Sequence, residues 1–306
     1  MVTGLQTRLL TELEPVVEAN LERHLSAARP WAPHDYVPWS RGRDFAFLGG
    51  EDWKPEDSPL DPIAQAALIV NLLTEDNLPS YHREIATRFG RDGAWGTWVG
   101  QWTAEEGRHS IALRDYLVVT RGVDPSNLEA MRMAHTIAGY DSGDKTPLEA
   151  LAYVSFQELA TRISHRNTGK ASGCPIADQL LARVALDENL HMVFYRKLMS
   201  AALDIEPDAA MQAICKEIVG FAMPGMGMAG FAQNAIAIAK AGIYDLRIHH
   251  DEVLQPILRF WRVFERSDIG AEGEQARDTL VKFLAAVDER AKYYEEKAAI
   301  RAAARV

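Results

Sequence analysis

Two short patterns in this sequence could do metal chemistry. Glu106-Gly-Arg-His109 and Glu188-Asn-Leu-His191 each set a glutamate three residues before a histidine. On a helix that spacing puts both side chains on one face, close enough to reach a single ion. With 23 glutamates and 9 histidines in 306 residues, about 0.7 such pairs are expected by chance, so the pattern alone is weak. Its position is more informative. Each pair lies deep in a helical stretch that follows a turn-forming segment, and in an antiparallel hairpin residues equally far from the turn lie side by side. The midpoint between Glu75 and Glu106 falls at 90.5, inside Gly90-Arg-Asp-Gly93. The midpoint between Glu158 and Glu188 is Gly173, inside the segment Gly169 to Pro175. Each Glu-x-x-His is therefore expected to face a lone glutamate at the same depth, roughly 22 Å from its turn. The arrangement also repeats: Glu75 and Glu158 are 83 residues apart, while Glu106 and Glu188, like His109 and His191, are 82 apart.

Four carboxylates and two imidazoles balance two divalent ions, and this donor mixture suits iron or manganese. Nothing resembles a closed four-ligand zinc site. Without ions, four facing buried carboxylates would be costly. A glutamate from each of two helices, with a Glu-x-x-His from each of two others, is the ligand set of ferritin-like dimetal bundles. Reading the same residues as solvated helix surface leaves both midpoints and the repeat unexplained.

The elements that must position these groups are helical. Ala, Leu, Glu and Arg dominate, and strand signals are nearly absent. Helices are expected over Leu5 to about Ala28, Ile63 to Phe89 with a bend at Pro79, Ala94 to Arg121, a third stretch started by Val123-Asp-Pro-Ser126, Leu148 to Thr168, and Ile176 to Leu203. Residues 29–62, rich in Pro, Trp, Gly and Asp, are too long for a simple connection and read as an ordered, packed segment. Further helical patterns follow, broken at Met223–Met228, Gly242–Asp245 and Ser267–Gly270. No Ser/Gly linker divides the chain. One all-α domain over 1–306 is expected, with metal-binding hairpins at about 61–121 and 147–203 and C-terminal helices at about 207–306.

Composition narrows the function. A net charge of −10 disfavours sequence-independent nucleic-acid binding and anchoring to anionic membranes. No apolar run nears the roughly 18 residues of a membrane span. The N-terminus reads as a charged helix start, not a signal peptide, and two cysteines, Cys174 and Cys215, fit a reducing cytoplasm.

The segments around the six candidate ligands resemble the acyl-[acyl carrier protein] desaturases, and the overall texture is similar to the actinobacterial branch. The resemblance is carried by TEDNLPSYHREI around Glu75, WTAEEGRHS around Glu106 and His109, SFQELATRISHRNTGKA around Glu158, DENLHM around Glu188 and His191, and WAPHDYVP from Trp31. It thins after about Leu203. It implies a ferritin-like bundle of about eleven helices, a homodimer, and insertion of a cis double bond into a saturated acyl chain held on acyl carrier protein. It also implies electrons from a ferredoxin, consumption of dioxygen and two Fe2+ ions. Glu75, Glu106 and His109 would hold one iron and Glu158, Glu188 and His191 the other, some carboxylates bridging both. Thr161 matches a threonine on the oxygen-binding side, Asp187 an aspartate behind a ligand, and Trp31 a tryptophan that passes electrons inward. Gly107 and Ser110 depart from the family pattern without touching the ligands. Glu84 and Arg88 stand where plant members carry apolar channel residues.

Several of these residues have blander readings. Trp31 could simply anchor its loop, and Thr161 could bond back to its own helix. Glu105 is the pseudo-equivalent of Asp187 as a partner for a ligating histidine. Trp95, Trp98 and Trp102 have core spacing, His165 reads as an ordered partner or packing histidine and not a ligand, and His249-His250 as surface or helix end. Met223–Met228 reads as a helix-breaking loop with packed thioethers. Lys and Arg at 166, 170, 196 and 197 read as a solvated face, with docking of an acidic carrier as the alternative. The alternatives for the whole chain are a dimetal hydroxylase or N-oxygenase on another substrate, and a non-catalytic iron-binding protein.

Overall fold

The computed structural model describes residues 4–222 and 230–303; Met223–Met228 lies outside them. Every regular element among them is helical: α1 (Gly4–Ala27), α2 (Pro62–Asp76), α3 (Leu78–Phe89), α4 (Gly93–Val119), α5 (Pro125–Ala138), α6 (Pro147–Ala171), α7 (Pro175–Ile205), α8 (Pro207–Val219), α9 (Phe231–Lys240), α10 (Leu246–Ile248), α11 (Gln255–Trp261) and α12 (Ala271–Ala303). A π-helical stretch, His249–Leu254, joins α10 to α11. With that run taken as one rod, the described residues hold eleven α-helical rods, matching the expectation of about eleven. Residues 29–62 carry four short 3-10 turns.

Local chemistry sets the boundaries. Asp61 accepts bonds from the amides of Ile63 and Ala64, with Pro62 at the first helical position of α2. Asp124 caps α5, and Thr146 with Glu149 forms a reciprocal capping box on α6. The expected bend at Pro79 is a full break: α2 ends at Asp76 and α3 begins at Leu78. Proline lacks an amide proton, and its ring collides with the carbonyl four residues back, which here belongs to Glu75. The break therefore falls immediately after a candidate ligand. In the second hairpin α6 runs on to Ala171, so the turn shrinks to 172–174. Its centre, Gly173, has φ +64°, a left-handed conformation open to glycine.

α2, α4, α6 and α7 form the four-helix bundle, with α6 and α7 packed along their lengths. α1 lies over α4 and α7, and α8 bridges α6 to α12. Trp98, Phe156, Phe194, Tyr195 and Trp261 are fully buried, so the largest side chains surround the bundle's centre. No described helix is long and apolar enough to cross a membrane.

Candidate metal centre

The bundle brings all six expected ligands together. Glu75 comes from the last turn of α2, Glu106 and His109 from α4, Glu158 from α6, and Glu188 and His191 from α7; all are buried. They fall into two groups in which one donor atom from each residue lies within 4.8 Å of the others: Glu75, Glu106, His109, Glu188, and Glu106, Glu158, Glu188, His191. Glu106 and Glu188 belong to both groups. The expectation was of two sets of three with some carboxylates shared between them.

The histidine rings are oriented alike. Nδ1 of His109 lies 3.1 Å from Glu188, 3.2 Å from Glu106 and 3.5 Å from Glu75. Nδ1 of His191 lies 2.8 Å from Glu106 and 3.6 Å from Glu158. Each Nε2 faces outward to a carboxylate from the opposite helix: Asp187 at 3.4 Å from His109, and Glu105 at 2.8 Å from His191. A carboxylate behind the imidazole fixes its tautomer and leaves the inner nitrogen free to bind an ion. Glu105 thus occupies the role of Asp187 in the other half.

The donor set fits a pair of ions on a direct observation. Glu106 Oε1, Glu158 Oε2, Glu188 Oε1 and His191 Nδ1 are buried and make no well-aligned hydrogen bond, although His191 Nδ1 lies 2.8 Å from Glu106 Oε1 and His109 Nδ1 3.1 Å from Glu188 Oε1. Buried polar atoms are rarely left so, and together these four point at a shared charge. The electrostatics agree. Burial and the neighbouring Glu188 carboxylate push Glu158 well above the usual carboxylate range, and the same two causes raise Glu106. Burial also pushes Glu75 upward, but bonds with His109 and His165 overcome it and hold Glu75 low. Both ring nitrogens lie among carboxylates, which outweigh burial and raise His109 and His191 well above their ordinary value. Bound cations would replace those protons.

Around the six ligands lies a ring of partners. Thr161 Oγ1 is 2.7 Å from Glu188 Oε2 and also 3.0 Å and 3.1 Å from the carbonyls of Glu158 and Gln157, so it bonds back to its own helix and also reaches a candidate ligand. His165 Nε2 contacts Glu75 at 2.9 Å as a partner and not a ligand. Trp31 donates its indole N–H to Asp187 at 2.7 Å, and its ring stacks parallel to His109 at 6.3 Å between centroids. The Arg108 and Arg183 guanidiniums lie 5.1 Å and 5.7 Å from that indole, and Arg183 also pairs with Asp187.

Several partners were missed, Arg108 and Arg183 among them. Trp102, read as core, donates to Glu158 at 3.0 Å. His24 of α1, fully buried, contacts Glu105 at 3.0 Å, and Gln101 donates to the same carboxylate at 2.6 Å. The only signal for His24 was a polar residue continuing the buried stripe Leu9, Leu13, Val17 and Leu21. Trp95 and Trp98 are core as expected. His249 stands at the end of α10, as one of the two readings held, and is half-buried: its ring packs on Phe221 and Nδ1 is 2.9 Å from the Tyr244 hydroxyl. Arg166 pairs with Asp178, and Arg196 lies over Phe260, so neither is a free surface cation.

A cavity of about 710 Å³, its open part included, reaches the carboxylates between α3 and α6. Glu75, Glu106, Glu158, Glu188 and Trp102 line its inner end; Leu78, Tyr81, Ile85, Ala150, Tyr153 and Val154 line its walls.

A four-helix bundle with a duplicated Glu, Glu-x-x-His frame beside an apolar cavity is the architecture of a ferritin-like dimetal carboxylate protein. Within that class the chain belongs to the fatty acid desaturase family, whose model matches residues 6–306. DesA1 of Mycobacterium tuberculosis (strain H37Rv), which bears a provisional acyl-[acyl-carrier-protein] desaturase name, is 55% identical over 287 residues, covering 91% of this chain and 84% of its own. Acyl-[acyl-carrier-protein] desaturase 7, chloroplastic, of Oryza sativa is 31% identical, covering 96% of this chain and 77% of its own. The X-ray structure of DesA2 from M. tuberculosis H37Rv aligns with TM-score 0.72 at 34% identity, over 85% of this chain and 97% of that one.

Proposed function

We propose that this enzyme introduces a cis double bond into a saturated fatty acyl chain carried on acyl carrier protein, using two iron ions held by Glu75, Glu106, His109, Glu158, Glu188 and His191. The observation that carries this reading is the apolar cavity that ends on four ligand carboxylates. In the balanced reaction a –CH2–CH2– unit gives up two hydrogens, two electrons and two protons enter from outside, and one dioxygen leaves as two waters. The iron pair, when bound, supplies the oxidising power that an unactivated methylene demands.

The chain's own groups do the rest. The cavity walls hold the acyl chain against the carboxylate layer and exclude water, so that one carbon pair is presented repeatedly. Trp102 and Thr161 orient Glu158 and Glu188 through their N–H and O–H groups. Asp187 keeps the proton of His109 on Nε2, and Glu105 does the same for His191. Trp31, half-buried and bonded to Asp187, is the proposed entry for electrons from a ferredoxin-type donor. The working form is proposed to be a cytoplasmic homodimer of single-domain chains.

The test combines iron-loaded protein, reduced ferredoxin, dioxygen and saturated acyl carrier proteins of several lengths, with acyl products read by mass spectrometry. A product two hydrogens lighter is expected. No olefin at any length would overturn the reading, as would fewer than about two metal ions per chain in loaded protein.

A further inference from the structure

Aromatic rings form an unbroken file behind His191. Trp98 of α4, fully buried, stands edge-on to His191 at 5.9 Å between ring centroids and to His24 at 5.0 Å. Its indole stacks on Phe194 at 3.5 Å and meets Tyr195 edge-on at 5.6 Å. Tyr195 lies 6.3 Å from Phe89, which stacks on Trp95 at 4.9 Å. Trp95 belongs to the first turn of α4, so the file runs from a candidate ligand to the hairpin end of that helix. The two indoles differ in one respect. The Trp98 N–H is buried without a well-aligned hydrogen bond. The Trp95 N–H donates to the Leu10 carbonyl at 3.1 Å, and the Glu14 carboxylate accepts the neighbouring Ala94 amide at 2.7 Å. An orphaned buried N–H is a cost that a phenylalanine would avoid, so packing alone does not account for Trp98.

We propose that Trp98 and Trp95 form an escape route that carries surplus oxidising power away from the candidate centre when dioxygen is consumed with no acyl chain in place; the proposal rests on the desaturase reading above. In the productive reaction the –CH2–CH2– unit supplies two of the four electrons that dioxygen takes up. Without that unit, two electrons enter one at a time along the file. Trp98 gives up an electron and is refilled from Trp95 across the packed rings of Tyr195 and Phe89. Trp95 is refilled by a small thiol in solution. Two thiols lose two electrons and two protons and become one disulfide; the protons exchange through water, and dioxygen still leaves as two waters. Hydrogen bonding sets the direction. An indole that has lost an electron is a cation, and an accepting carbonyl with a carboxylate close by stabilises it. Trp95 has both, whereas the Trp98 N–H has no acceptor, so the electron vacancy moves outward, away from the ligands. Tyr195 does not hold it: burial and Glu158 keep its hydroxyl protonated, and among the described residues no acceptor takes that proton.

The test incubates iron-loaded protein with reduced ferredoxin and dioxygen but no acyl carrier protein, with and without β-mercaptoethanol. Peptide mass spectrometry locates oxidised residues, disulfide is counted against dioxygen consumed, and freeze-quenched samples are read for indole radicals by electron paramagnetic resonance. In the parent, thiol should be consumed and should spare His191 and Trp102 from oxidation. Trp98→Phe should lose that sparing. Trp95→Phe should strand the vacancy, so that the radical and the oxidation collect on Trp98. Trp261→Phe changes a buried tryptophan off the file and should behave as the parent. Circular-dichroism melts show which variants fold, and Trp95→Phe decides the matter if Trp98→Phe does not. Equal sparing in every folded protein, loss of sparing in Trp261→Phe as well, or no thiol consumed by the parent would each overturn the route; olefin formed from acyl carrier proteins by the same preparations would leave the desaturase reading standing. Sparing lost only in the Trp98 and Trp95 variants, with no olefin from any protein, would uphold the route and overturn the desaturase reading.

Discussion

At the residue scale, the site holds carboxylates in surroundings that only cations make comfortable. Glu158 is the clearest case, since burial and Glu188 together favour its protonated form. A carboxyl whose folded-state value is raised retains its proton while the unfolded chain has lost it. Its contribution therefore falls as pH rises from the ordinary 4.5 toward the raised value. Glu158→Gln should accordingly stabilise the metal-free protein by on the order of 1 kcal/mol at pH 8 and by less at pH 5, while metal content drops below two per chain. Melts of chelated protein at the two pH values, with metal analysis after reloading, check both halves of this. Asp187→Ala removes the partner of both His109 and Trp31, and metal affinity should weaken by about 10-fold to 100-fold in chelator competition. The six candidate ligands could be picked out because a hairpin's symmetry ties residues far apart in sequence to one depth. Trp102 and His24 could not. A tryptophan at core spacing and a histidine on an apolar stripe read as packing until their partners, 56 and 81 residues away, are in place.

At the element scale, most helices could be read from periodicity and caps, and the errors lie where one residue overrides a pattern. Pro79 divides a stretch whose composition is helical throughout, and α6 continues past Gly169 because a single left-handed glycine suffices to turn it. Gly173 has nothing within 4 Å of where a Cβ would stand, so Gly173→Ala tests backbone cost alone. A loss of about 1 kcal/mol is expected from the denaturation midpoint. The π-helical joint between α10 and α11 supplies a pH-dependent contact that the sequence did not reveal. Burial and the adjacent His250 depress His249 from 6.5 to about 4. The folded protein keeps this ring neutral while the unfolded chain takes up a proton, so stability falls as pH drops from about 6.5 to about 4. The loss should be on the order of 2 kcal/mol. Melts across that window should show a shallower decline in His249→Phe than in the parent.

At the scale of the whole molecule, the candidate centre joins four helices that no disulfide ties together. Ions bound there stabilise the folded chain by mass action, and stripping them with a chelator should lower the melting temperature in a manner reversed by iron. The fold class followed from composition and spacing. Of the residues behind the ligands, Asp187 and Glu105 were legible from their places on the bundle helices, whereas His24 was not, because it comes from α1, whose docking no local pattern encodes. Those residues also undo the symmetry that the duplicated hairpins suggest. Behind His109, Asp187 meets a half-buried indole flanked by two guanidiniums; behind His191, Glu105 meets the buried His24 and Gln101. A twofold frame has thus acquired a front and a back: the carboxylate behind one imidazole rests on a half-buried indole and that behind its twin on a fully buried histidine, while Arg108 stands near both.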